Sequence, residues 1–117
     1  MNIYEQALGN LTEENWKRGE VADGNGNRCV TGHLLYVRYG RDMRWYETPD
    51  LNEEDFTLTL HKIIAEQYPA AVDAWLAGSS LMTVLSPIGL VTFFNDFRAS
   101  YSDIRAVLEK AAANERA

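Results

Sequence analysis

A chain of 117 residues has the usual size of one domain, and 46% hydrophobic content with 11% aromatics supplies a packed core rather than a disordered chain. The formal net charge of −6 argues against general nucleic-acid binding, which needs a basic patch to displace counterions. Cys29 is the single cysteine, so an internal disulfide and a cysteine zinc cluster are excluded.

No apolar run approaches the roughly 18–20 residues that span a bilayer, so no membrane segment is expected. The first residues, Met1 to Gln6, lack the basic and apolar regions of a secretory signal. The expectation is one cytoplasmic domain over residues 1–117, mainly α, built as a small orthogonal bundle of five or six short helices.

In chain order, Asn2 caps a first helix over residues 2–8, with Glu5 at the capping-box position and a break at Gly9-Asn10. Thr12-Glu13-Glu14 offers one more helical turn leading to Trp16. The Asp23-Gly24-Asn25-Gly26-Asn27 turn permits one short β-hairpin near residues 18–30. Against the hairpin, Val30, Leu34 and Val37 recur at helical spacing and Gly40 suits a C-terminal cap, which favours a helix over residues 28–39 capped by Asn27.

After a loop at 41–51, Asn52 reads as the N-cap of a helix over 53–67, with Phe56, Leu60, Ile63 and Ile64 on its apolar face. Pro69 opens the next helix, which presents Val72, Trp75 and Leu76 and ends at Gly78. A loop is expected over 79–87. Residues 88–97 suit either a strand or a helix, and the spacing of Leu90, Phe93, Phe94 and Phe97 favours the helix. Ser100 caps a last helix over 101–114, with Ile104, Val107, Leu108 and Ala111 as its buried stripe.

Three motifs carry a resemblance. Trp16-Lys17-Arg18-Gly19, Asp23-Gly24-Asn25-Gly26 and Cys29-Val30-Thr31-Gly32-His33-Leu34 are followed late in the chain by Phe94-Asn95-Asp96 and an Ile104/Val107/Leu108 helix. Together they resemble the domain-of-unknown-function family numbered 6197, small proteins of actinobacteria and their phages. The resemblance implies a helical fold and a phage or actinobacterial origin, and it implies no activity. Val30 and His33 stand where the family has alanine, and Phe94 where it has tryptophan; these read as packing substitutions.

Cys29 is the first residue to weigh for chemistry. At a helix N-terminus a thiol is activated by the helix dipole, and a hydrolase or transferase would need an imidazole from His33 or His61, oriented by Asn95 or Asp96. A lone free cysteine is more often a small buried hydrophobe. Cys29 and His33 provide only two metal ligands where a structural zinc needs four, so no metal is expected. The Asp23 turn lacks the glycine and the glutamate that a calcium loop needs at its sixth and twelfth positions, where Arg28 and Leu34 stand. Asn95-Asp96 fits a local cap at a helix end.

The segment from Tyr39 to Tyr46, with Arg41, Arg44 and Trp45, gathers the residue types enriched at protein interfaces. If exposed, Trp45 and Tyr46 are interface anchors; if folded back, they cover the core. The expected function is therefore a small non-enzymatic protein-interaction factor, phage-encoded and acting on a host or phage protein. The alternative is a Cys29-dependent hydrolase or transferase. No cofactor is expected; the partner is a protein, and a homo-oligomer is compatible with the composition.

Overall fold

Asn2 opens the molecule as a two-way cap. Its side chain accepts the Glu5 N–H at 2.9 Å, and the Glu5 carboxylate accepts the Asn2 N–H at 3.1 Å. Helix α1 (Ile3–Asn10) follows in the computed structural model, which describes residues 1–78 and 86–116. It runs on through the break expected at Gly9-Asn10, two residues past Leu8. Thr12 and Asn15 then exchange side-chain and main-chain hydrogen bonds around a single turn that ends at Trp16.

Helix α2 (Val30–Tyr39) is capped by Cys29, not by Asn27, and starts later than its pattern suggests. Arg28 is drawn into extended backbone by two main-chain bonds: it donates to Asn15 O at 2.8 Å and accepts from Lys17 N at 3.0 Å. These contacts stand where the sequence permitted a short hairpin. Arg28 forms isolated bridges with Trp16 and with Ala22, and no strand forms among the described residues. Gly40 closes α2 in the left-handed region at φ 75°, as its place in the sequence suggested.

Trp45–Glu47 make one 3-10 turn. Helix α3 (Asp55–Gln67) starts after Glu54, so Asn52 is not its cap. The Asn52 oxygen instead accepts the N–H of Ile88 at 3.0 Å, holding the start of a later helix. Phe56, Leu60, Ile63 and Ile64 are all buried. Helix α4 (Pro69–Gly78) buries Ala71 and Trp75, while Leu76 is half exposed rather than part of the core.

The loop expected at 79–87 lies largely outside the described residues; Ser86 already caps helix α5 (Pro87–Phe93), accepting from Gly89 N at 3.2 Å. The helical reading of 88–97 holds, with one change. From Phe94 to Arg98 the chain widens into a π turn, closed by Ala99 N–H on Phe94 O at 2.8 Å. The extra residue turns Phe94 and Asn95 inward and leaves Phe97 73% exposed, which breaks the expected apolar stripe.

Helix α6 (Tyr101–Arg116) has a reciprocal Ser100–Asp103 cap and the stripe Ile104, Val107, Leu108 and Ala111, all buried. The result is a mainly α fold of six helices among the described residues. Helix α1 packs on α2 and α6, and α3 packs on α4, α5 and α6. Leu34, Leu35, Phe56, Leu60, Leu90, Phe94 and Leu108 fill the centre. No helix among the described residues is long and apolar enough to cross a membrane.

Candidate functional site

The segment between Trp16 and Cys29 has little regular structure and is held by bonds to distant residues. Gly19, Gly24 and Gly26 all take positive φ, between 83° and 89°, where a side chain would be strained. The Asp23 carboxylate accepts Asn25 N–H at 2.7 Å and Asn27 Nδ2 at 2.8 Å, and these bonds hold its carboxyl down to about 2. Those internal bonds hold the Asp23 carboxylate within the turn. At Gly32 the backbone comes closest: a Cβ there would stand 1.9 Å from the Val21 carbonyl oxygen. Val21 O also accepts Cys29 N–H at 3.3 Å, so the loop is pressed against the first turn of α2.

Asn95 locks this joint from the other side. Buried at 1% exposure, its oxygen accepts the Trp16 indole N–H at 2.7 Å and the Val30 N–H at 3.0 Å. Its amide donates to Lys17 O at 3.1 Å and to the Asp96 carboxylate at 2.9 Å. Asp96 in turn accepts Gly19 N–H at 2.9 Å. The expected local cap is thus a long-range one, joining the π turn to the loop and to the N-terminus of α2.

Cys29 caps α2 through its sulfur, which accepts Gly32 N–H at 3.4 Å. Although the residue keeps some accessible surface, burial of the sulfur pushes its thiol up to about 11, with the Asp96 charge adding to the rise against the Gly32 N–H. That leaves a neutral thiol at pH 7, the opposite of an activated nucleophile.

The imidazoles are not joined to it. His33 is buried, and its Nε2 bonds the Asn15 carbonyl oxygen at 3.2 Å, which can only accept; the ring is therefore the neutral Nε2–H tautomer. Burial lowers its pKa to about 4. His61 stands half-buried on α3, and among the described residues its Nδ1 has no hydrogen-bond partner. Cys29 and Asn95 share one site, and the two histidines lie outside it. Among the described residues no group of three or more His, Cys, Asp or Glu side chains is placed to hold a metal.

The aromatic loop divides. Trp45 is 77% and Tyr46 70% exposed, and their rings meet edge to face at 5.6 Å. The Glu47 carboxylate braces the turn beneath them, accepting Arg44 N–H at 2.9 Å and pairing with Arg41 at 3.3 Å, which together lower its pKa. Tyr39 faces elsewhere, donating its hydroxyl to Glu54 beside the Arg38 ion pairs with Glu54 and Asp55.

A cleft of about 750 Å³ lies between these two regions. Cys29, Thr31 and Asn95 form its inner part and the Gly19–Ala22 loop one wall. Leu51, Ile88, Thr92 and Asp96 also line it, and Arg44 and the exposed Trp45 and Tyr46 stand at its mouth. Leu51, Ile88 and Thr92 were not legible as site residues, because no local pattern marks them.

The model of a family of unknown function, DUF6197, matches residues 1–114. The chain belongs to that family. No curated protein and no solved structure matches it. The residues that carry the DUF6197 likeness converge on one place: Trp16, Gly19 and Asp23 shape the loop, Cys29 and Gly32 receive it on α2, and Asn95-Asp96 bind both. Of these motif residues, Gly19, Cys29, Asn95 and Asp96 line the cleft.

Proposed function

We propose that the protein is a small non-enzymatic interaction factor that seats a partner protein at the cleft rimmed by Trp45 and Tyr46. The observation that carries this reading is the exposure of both rings on a braced turn at the mouth of a 750 Å³ cleft. Large aromatics left in water are costly to keep there and favourable to cover: burying one contributes roughly 3 kcal/mol before association costs. The turn is fixed by Glu47, so little ordering is needed on binding. A phage-encoded factor acting on a host or phage protein in the cytoplasm is the proposed setting.

The test is affinity capture with the wild-type protein and the Trp45→Ala/Tyr46→Ala variant as parallel baits. The proposal expects a defined protein retained by the wild type and lost with the variant. Equal retention by both would contradict it.

A second reading, a Cys29-dependent hydrolase or transferase, draws on the presence of Cys29 in the cleft. Its raised pKa and the separation of both histidines from the cleft weigh against it.

A further inference from the structure

We infer that the cleft receives a positively charged side chain, a lysine or arginine on a basic segment of the partner protein; this rests on the cleft being the partner's seat. Asp96 is the residue that calls for it. One of its oxygens is fixed by Gly19 N–H and Asn95 Nδ2, both at 2.9 Å, so the carboxylate is held rigidly in the lining. No lysine, arginine or histidine among the described residues lies within ion-pair distance of it. Asp42 and Glu54, also partly enclosed, are paired with Arg28 and Arg38. A carboxylate partly withdrawn from water, fixed and uncompensated, attracts an arriving cation more strongly than one on open surface.

The rest of the lining agrees. Glu20 adds a second carboxylate, shared with Lys17 at 3.7 Å. Among the described residues the lining holds one cation, Arg44, against these two carboxylates, and its guanidinium donates to the Ala22 carbonyl oxygen at 3.4 Å. Trp45 and Tyr46 offer ring faces over which an ammonium or guanidinium is attracted. The molecule already uses that contact internally, with Arg28 over Tyr36 at 3.9 Å and Arg18 over Trp16 at 4.6 Å. The net charge of −6 steers a basic segment toward the protein. An acidic segment would meet Asp96 and Glu20, and an apolar one would desolvate Asp96 without replacing its water.

The test is amide and indole shift mapping with three probes: Ac-Gly-Lys-Gly-Arg-Gly-amide, its counterpart with two glutamates, and n-butylammonium. The basic peptide is expected to move the Gly19, Asp96 and Trp45 indole signals. Asp96→Asn, which keeps an oxygen for Gly19 N–H, is expected to weaken its binding about fivefold, the worth of one charge-assisted contact. Trp45→Ala, away from the Asn95 joint, should weaken it comparably, and Glu13→Gln on the exposed surface should not.

Shifts confined to Glu13, Glu14, Glu53, Glu54 and Asp55, equal weakening by Glu13→Gln, or binding of the glutamate peptide in the cleft would overturn the inference. So would n-butylammonium binding as tightly as the peptide, which would make the ligand a free amine. Any of these can occur while the capture experiment still depends on Trp45 and Tyr46, so the choice of ligand and the choice of site fail separately.

Discussion

The Asn95 side-chain oxygen accepts the main-chain N–H of Val30 at 3.0 Å across 65 residues of chain, and the same oxygen holds the Trp16 indole at 2.7 Å. One amide therefore serves as the missing acceptor for the first turn of α2 and as the fastening for the loop before it. Asn95→Ala leaves the Trp16 and Val30 donors and the Lys17 carbonyl without this partner in a buried place. A destabilisation of about 3 kcal/mol or more is expected in urea denaturation. Asn95→Gln, with the same groups displaced by one methylene, should recover only part of it.

Gly32 tests the close approach of the loop to α2. Gly32→Ala places a methyl group 1.9 Å from Val21 O, a backbone atom, so the loop must move or α2 must lose its first turn. A loss of about 3 kcal/mol or failure to fold is expected. Gly9, on α1 with open space around its Cα, is the control: Gly9→Ala should raise stability by about 0.5 kcal/mol through helix propensity. Equal effects at the two positions in thermal denaturation would refute the packing argument.

His33 makes stability depend on pH. Its folded pKa of about 4 lies below the ordinary 6.5, so the unfolded chain takes up the proton first. Stability is complete above pH 6.5, falls as the pH drops from 6.5 toward 4, and levels below that. At about 1.4 kcal/mol per pH unit the loss is about 3 kcal/mol. Asp23, held at about 2 from 3.8, contributes stability that is lost only at still lower pH, outside this window. Urea titrations at pH 7, 5.5 and 4 should show the slope, and His33→Gln should flatten it.

Cys29 should resist alkylation near neutral pH, with the rate rising toward pH 11 and full labelling on denaturation. Stoichiometric labelling with an apparent pKa below about 8.5, the free-thiol value, would restore the hydrolase or transferase reading.

Local signals in the sequence were legible where their partners are local. The Asn2–Glu5 and Ser100–Asp103 caps, Gly40, Pro69 and the apolar face of α3 all stand where a 3.6-residue period and capping rules put them. Asn52 and Asn95 were misread as local caps for a common reason: each spends its side chain on a backbone N–H far along the chain, Ile88 and Val30 respectively. Phe97 was misplaced because one π turn shifts the helical phase, and nothing local in Phe94–Arg98 announces it. At the site, Trp45, Tyr46 and Arg44 were legible from composition; the walls were not, since Ile88 and Thr92 reach the cleft only through the packing of α5.

Site-specific photocrosslinking tests the binding role of the cleft most directly. A benzoylphenylalanine replaces Trp45 in one protein and Leu76, an exposed apolar residue of α4 outside the cleft, in another. A discrete crosslinked protein from the Trp45 position, absent from the Leu76 position, is the predicted result. Crosslinking at Leu76 with none at Trp45 would contradict the assignment of the cleft as the partner's seat.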